Sequence, residues 1–285
     1  AGATNVVVRV TPDADARQRC EDECAFLAYC RRNGVDCCAA IAATSGALVV
    51  TSRDGALVVS VFEYARGSPV NFAEYTWLRD ERYGVAHGRW LAQLHAVGRR
   101  FAAEHAYIAQ RMRAWDELHA GVMKTIAVDA RDRADEADGA RYGIIHHDLN
   151  VSNYFAREDG DAVQLCVFDF DQVCRGWYEL DIAQTAWAAV MVVDFGTPVA
   201  GTPVDGADAD KFVDAVVRGY EAVADAPRVD RDRLTRLIEN RRCFYESFCR
   251  RAQREGDIPA DMAAFINWIV AAFDKYRAQQ QQPQQ

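Results

Sequence analysis

Residues 144–171 read Ile144-Ile145-His146-His147-Asp148-Leu149-Asn150-Val151-Ser152-Asn153-Tyr154-Phe155, then a charged turn, then Leu165-Cys166-Val167-Phe168-Asp169-Phe170-Asp171. The first half sets His146, Asp148 and Asn153 in the order His-x-Asp-x-x-x-x-Asn directly after a short apolar run. The second half is a strand that ends in carboxylates.

Phosphoryl transfer from a nucleotide needs a carboxylate to orient the attacking hydroxyl and take its proton, together with oxygen ligands for magnesium. Asp148 is the candidate base. The Asn153 carbonyl and the Asp169 carboxylate are hard oxygen donors of the type Mg²⁺ prefers. A plainer alternative has His146 and Asp148 capping a turn while Asn153 opens a helix. The second carboxylate strand, arriving where a kinase would place it, favours the catalytic reading. Asp171 either approaches a second metal or faces solvent. A metal-dependent hydrolase built on His146, His147 and Asp148 lacks the further ligands a catalytic zinc needs.

The segment resembles the catalytic core of the aminoglycoside phosphotransferase and choline kinase-like superfamily, whose pattern is His-Gly-Asp-Leu-His-Pro-x-Asn followed by Ile-Asp-Phe-Asp-Asp. Here the corresponding residues are His146-His147-Asp148-Leu149-Asn150-Val151-Ser152-Asn153 and Phe168-Asp169-Phe170-Asp171-Gln172. The likeness continues through Gly176-Trp177-Tyr178-Glu179-Leu180-Asp181-Ile182-Ala183, similar to the family's Gly-x-x-x-x-Asp-Leu-Ala. The wording is nearest to the branch holding homoserine kinase-like and stress-response kinases. The resemblance implies an α/β (α+β) protein-kinase-like fold in two lobes, with a truncated small N-terminal sheet lobe and a mostly helical C-terminal lobe.

Composition sets the outer limits. A chain of 285 residues with 50% apolar content can bury a sizeable core in one large domain or two lobes. Its 33 basic and 42 acidic residues leave a formal charge of −9, which argues against a nucleic-acid partner and is compatible with a cationic substrate. Nine cysteines without paired Cys-x-x-Cys spacing indicate neither a disulfide framework nor a zinc site. The apolar run from Ile182 to Phe195 falls short of the ~20 residues of a membrane span, and no signal peptide is visible. The expectation is a cytoplasmic protein, monomer or homodimer, with no membrane partner.

Asn5 to Val10 reads as a strand carrying one basic residue, Arg9, and Asp15 to Asn33 as a helix stopped by Asn33-Gly34. A basic strand followed by a helix with a glutamate is the kinase arrangement that positions a cation over nucleotide phosphates. By resemblance, Glu23-Cys24-Ala25-Phe26-Leu27 matches the family's Glu-x-x-Phe-Leu, which pairs Arg9 with Glu23; Glu21 is a weaker partner. Otherwise Arg9 is a surface arginine and Glu23 a solvated one. Strands at Ala47–Thr51 and Ala56–Phe62 are joined by the hairpin signal Asp54-Gly55. In a two-lobed kinase the following Glu63, Tyr64 and Ala65 form the linker whose backbone meets the adenine edge. No glycine-rich phosphate loop precedes Arg9 and the chain begins without methionine, as expected of a trimmed sequence or of a nucleotide-binding module without activity.

Helical spacing runs from Tyr83 to about Arg113, where His95 reads as a packed, satisfied histidine. Arg131–Arg141 reads as a solvated loop. Further helices are expected over Ile182–Val193, Asp210–Ala224, Arg231–Arg254 and Pro259–Ala278, with Thr197–Asp208 a loop and Asp181 a structural cap of the Ile182 helix. Asp194-Phe195-Gly196 imitates a kinase metal motif, but it ends an alanine-rich helix far from the catalytic segment, so Asp169 is preferred. The expected division is a nucleotide lobe over 1–66, a catalytic and substrate lobe over 67–278 and a disordered Gln-rich tail over 279–285. The implied activity is transfer of the γ-phosphate of ATP or GTP, with Mg²⁺, to a hydroxyl of a small molecule. The competing readings are a pseudokinase or regulatory nucleotide-binding module, and a Ser/Thr protein kinase of the stress-response type.

Overall fold

The computed structural model describes residues 5–118, 130–195, 205–256 and 262–280. The β-branched run after Asn5 forms β1 (Val6–Thr11), which pairs antiparallel with β3 (Val58–Glu63). Strand β2 (Val49–Thr51) pairs with the other edge of β3, so the sheet order is β1-β3-β2. Helix α1 (Arg17–Arg32) buries Cys20, Cys24, Phe26, Leu27 and Cys30. It stops where Gly34 takes a φ of 85°, a left-handed conformation that costs glycine nothing.

Two connections join this sheet to the rest. After α1 the chain forms isolated bridges from Cys37 to Val167 and from Ala40 to Phe62, stitching β3 to β7 (Ala162–Val167). After β3 it passes Glu63–Gly67 into β4 (Ser68–Pro69), which pairs with β6 (Tyr154–Asp159), itself paired with β7. Gly67 sits at a φ of 105°, and a Cβ there would stand 2.5 Å from the Ala156 carbonyl oxygen. Only glycine lets the backbones pass so closely.

The helical part comprises α2 (Thr76–Arg79), α3 (Glu81–Glu104), α4 (Ala106–Arg111), α5 (Ala130–Asp138), α6 (Tyr178–Phe195), α7 (Gly206–Glu221), α8 (Arg231–Glu255) and α9 (Ala263–Gln280). Within it, β5 (Tyr142–Ile145) pairs antiparallel with β8 (Cys174–Trp177). A small antiparallel sheet followed by a mostly helical remainder is the kinase-like α/β architecture the sequence implied. One apolar core runs from Phe26 and Leu27 through Leu91, Ile145 and Ile182 to Leu237, so sheet and helices share it. No described helix is long and apolar enough to cross a membrane.

Several boundaries differ from expectation. The long helix breaks at His105, where α3 yields to α4. Arg131–Arg141 is not a loop: α5 occupies Ala130–Asp138. Its Asp132 accepts from Arg233 Nε at 2.8 Å and Arg236 Nη1 at 2.9 Å, and Asp135 from Arg233 Nη2 at 2.6 Å. Carboxylates three apart on α5 thus meet arginines three apart on α8. Helix α7 starts at Gly206 rather than Asp210, because Asp205 and Asp208 form a reciprocal capping box; the rest of the loop expected from Thr197 lies outside the described residues. Helix α9 extends to Gln280, and the remainder of the Gln-rich tail lies outside the described residues.

Helices α3 and α7 touch through glycine. A Cβ at Gly88 would lie 1.8 Å from the Val216 carbonyl oxygen, and one at Gly219 would lie 2.2 Å from that of Val85. Backbone cannot yield as a side chain can. Gly88→Ala is expected to cost about 1–3 kcal/mol or more through overpacking, whereas Gly206→Ala, with nothing within 4 Å, should stay within roughly 0.5 kcal/mol. Urea unfolding of the two variants checks the contrast.

Candidate active site

Residues 146–153 form a tight loop between β5 and β6, and three positions of α6 hold it. The Asp181 carboxylate, fully buried, accepts the backbone N–H of His146 at 2.9 Å and of His147 at 2.7 Å. Gln184 Nε2 donates to Asp148 Oδ1 at 3.0 Å, and Thr185 Oγ1 donates to the Leu149 carbonyl at 3.1 Å. Positions i, i+3 and i+4 share one helix face, so α6 grips the loop with a single stripe. From α8, Arg241 Nη2 donates to the His147 carbonyl at 2.9 Å.

Asp181 is therefore not a helix cap. Helix α6 already begins at Tyr178, and Asp181 points at the loop. His95 on α3, whose other ring nitrogen meets the Tyr220 hydroxyl at 2.9 Å, approaches Asp181 Oδ2 at 3.0 Å. Burial holds the imidazole below its usual pKa despite Asp181, so it is neutral and donates through Nε2. Burial alone would raise Asp181, but His95 and the loop N–H groups hold it below the usual carboxylate range.

Asp148 accepts three side-chain donors: Asn150 Nδ2 at 3.2 Å and Gln184 on Oδ1, and Asn153 Nδ2 at 2.9 Å on Oδ2. Asn153 Nδ2 also donates to the Asp148 carbonyl at 2.8 Å. Both N–H bonds of that amide are thus used, while its oxygen takes only a long hydrogen bond from Ser152 Oγ at 3.5 Å and keeps a lone pair for another partner. Burial pushes Asp148 up to about 6, against the pull of Arg241 and the Asn150 hydrogen bond.

The loop is bonded to the carboxylate strand. Phe168 N–H donates to the Asn153 carbonyl at 3.0 Å. His146 Nδ1 accepts from the Asp148 N–H at 3.2 Å, so its Nε2 carries the proton and donates to the Phe168 carbonyl at 3.2 Å. Asp169 follows at a φ of 65°, and His147 sits at 70°; left-handed non-glycine residues cost on the order of 1–3 kcal/mol and persist only where surroundings over-determine them. The buried Phe170 ring packs against His146 and Phe26 at centroid distances of 4.4 and 6.5 Å, fixing the turn. Burial and the neighbouring Asp171 raise Asp169, and among the described residues nothing donates to its carboxylate.

Arg9 and Glu23 meet as a two-pronged ion pair, Nη1 to Oε1 at 2.9 Å and Nη2 to Oε2 at 2.5 Å, while Glu21 pairs with Arg17 instead. The pair walls a cavity of about 510 Å³ that is lined also by Asp169, by Glu63, Tyr64 and Ala65, and by Val8, Leu27, Phe62 and Phe155. Asp148 does not line this cavity, and Asp171 faces a neighbouring chamber. Asp194 accepts from Arg242 at 2.8 Å near the far end of α6. Of the candidates, Arg9, Glu23, the 63–65 linker and Asp169 share one cavity, and Asp148 and Asn153 are bonded to its edge through Phe168.

Arg241, Gln184 and Asn150 did not stand out in the sequence. Only Gln184 left a trace, as a polar break in the apolar α6 run three residues after Asp181. Among the described residues no three or more His, Cys, Asp or Glu side chains are grouped to hold an ion. The donor set of one carboxylate and one amide oxygen suits Mg²⁺, which usually takes one or two carboxylates and completes its shell with water and substrate phosphates.

The architecture is that of the kinase-like phosphotransferases. The chain belongs to the phosphotransferase enzyme family, whose family model matches residues 1–243, and is an enzyme of that class. No curated protein gives a significant match. Among solved structures, an amicoumacin kinase, hAmiN, in complex with AMP-PNP, Ca²⁺ and Ami is 16% identical, covering 95% of this chain and 82% of that one at a TM-score of 0.68. A microcompartment-associated aminopropanol kinase is 23% identical over 85% of this chain and 77% of that one, at 0.60. A spectinomycin phosphotransferase in complex with ADP and its antibiotic is 12% identical over 99% and 83%, at 0.57. At such identities the likeness is one of fold.

Removing the Asp181 carboxylate orphans the N–H groups of His146 and His147 and the His95 imidazole. Asp181→Ala should cost roughly 3 kcal/mol or more, each buried unsatisfied donor contributing ~1–3, where loss of a cap costs only ~1. Urea unfolding measures which figure applies.

Proposed function

We propose that this enzyme transfers the γ-phosphoryl group of ATP or GTP to a hydroxyl of a small molecule, with Asp148 as base and Asn153 and Asp169 as the ligands of Mg²⁺. The observation that carries the proposal is the hydrogen-bonded unit Asp148–Asn153–Phe168, which ties the Asp148 carboxylate to the strand end whose Phe168 and Asp169 line a cavity of about 510 Å³. The similar structures named above are kinases of small molecules, which supports a small-molecule acceptor.

In this reading the adenine edge meets the linker. Among the described residues no hydrogen bond engages the backbone of Tyr64 or Ala65, so these groups are available to a base. Arg9, oriented by Glu23 and stacked 4.8 Å from the centre of the Phe62 ring, presents its charge to the phosphates. Bound Mg²⁺ supplies neutralisation of the charge carried by the migrating group. Asp148 orients the acceptor hydroxyl and takes its proton; because the transition state is loose, position matters more than base strength. Its three donors hold the carboxylate in one rotamer and leave it acceptor-only once ionised.

Asp148 must be ionised to act, and burial pushes it up to about 6. Turnover should therefore fall about tenfold per pH unit below that value and level off above it; a flat profile from acid to neutral pH would contradict the assignment. Asp148→Asn should keep Mg·nucleotide affinity while turnover drops by roughly 10²–10⁴. Asp169→Asn should weaken Mg·nucleotide binding at least about tenfold, or ~1.4 kcal/mol, as well as turnover. Calorimetry beside steady-state rates separates the roles, and an active Asp148→Asn would remove the base from the scheme.

A further inference from the structure

Behind the Arg9–Glu23 pair lies a second chamber of about 280 Å³. Arg9 and Glu23 wall both it and the nucleotide-sized cavity, so the two are neighbours across the ion pair. Its own lining differs: Arg19 from the first turn of α1, Arg113 from the connection after α4, Thr11 at the end of β1, and Asp171. Three arginines face two carboxylates there, in a chain whose overall charge is −9.

These cations are unequally neutralised. Glu23 takes both terminal nitrogens of Arg9. Arg19 reaches only Asp13, at 3.4 Å, with both side chains nearly half exposed. The Arg113 side chain makes a single hydrogen bond, to the Asp171 carbonyl at 3.0 Å, and no ion pair among the described residues. Burial and the like charge of Arg19 both pull Arg113 below the usual arginine range. Two guanidiniums that repel each other across a cleft, with most of their donors unused, are relieved by an anion between them, and the guanidinium fork fits phosphate and carboxylate oxygens.

We propose that this chamber is a binding site for a small oxyanion, a phosphate or carboxylate group, held by Arg19 and Arg113. Its volume lies at the foot of the ~300–1,000 Å³ range of pockets for drug-sized ligands, so it takes an anionic head group rather than a second nucleotide. The anion comes either from solution or from the acceptor itself, and competition tells these apart. Binding of the anion does not depend on the kinase reading; only the acceptor source rests on it.

The test is calorimetric titration of the whole chain with inorganic phosphate at low ionic strength. Saturable binding is expected, weakening as salt is raised. Arg19→Gln and Arg113→Gln should each weaken it at least about tenfold, while Arg254→Gln, exposed on α8, leaves it unchanged. Neither Arg19 nor Arg113 lines the nucleotide cavity, so phosphate held there by Arg9 would not respond to them. If Arg113→Gln disturbs folding through the Asp171 carbonyl, Arg19→Gln, whose side chain bonds only Asp13, decides alone. No saturable binding, or equal binding in parent and Arg19→Gln, overturns the proposal. Phosphate competing with the acceptor makes the chamber its anionic-group subsite; phosphate binding indifferent to acceptor makes it a separate anion site. Both support it. Loss of phosphoryl transfer with phosphate binding intact would count against the kinase reading alone.

Discussion

A fully buried carboxylate, Asp181, holds two consecutive backbone N–H groups, and the 146–153 loop has its shape because of that bond pair. An ionised group in an apolar core is tolerated only when nearly all its lone pairs are used. Here α6 provides the carboxylate, the 146–147 backbone two donors and α3 a third through His95. The left-handed His147 follows from this demand, since consecutive N–H groups converge on one carboxylate only if the backbone turns sharply between them. Arg241 closes the other side by taking the His147 carbonyl. With the loop set, Asn153 reaches back to Asp148 and forward to Phe168, and Asp169 follows directly on Phe168.

The same economy operates at the Arg9–Glu23 pair. Burial opposes both charges, raising Glu23 and pulling on Arg9, and the two-pronged contact more than offsets it for the arginine. Removing either partner would strand the other in a half-dry cleft, which costs more than the pair contributes. The pair therefore ties α1 to β1, and it sets where the positive charge stands in the cavity it shares with Asp169.

Much of this was legible in the chain. The β-branched run at β1, the hairpin signal before β3 and the helix stop at Asn33-Gly34 are local effects of side-chain chemistry, and each produced the expected element. Arg9, Glu23, Asp148, Asn153 and Asp169 stood out because phosphoryl chemistry demands those residue types at short spacings; Arg9 meets Glu23, Asn153 meets Asp148, and Asp169 lines the same cavity as the Arg9–Glu23 pair. What escaped was non-local. Asp181 looks like a cap because a carboxylate near a helix start usually is one; that it serves a loop 34 residues away depends on how α6 packs against β5. Likewise the acidic run in α5 looks solvated until its partners Arg233 and Arg236 arrive from α8. Arg241 sits in a helix rich in arginines, and nothing in spacing separates it and the equally buried Arg233 from the others.

The central claim, that a preorganised loop hands a nucleotide phosphoryl group to a hydroxyl, is tested most directly by ³¹P NMR of the chain incubated with Mg·ATP or Mg·GTP and a panel of hydroxyl-bearing small molecules. A new phosphate-monoester resonance, split by the acceptor's own protons and growing in step with nucleoside diphosphate, is the predicted result. Nucleotide bound with no ester formed on any acceptor, or phosphate appearing only as the free inorganic ion, would contradict it.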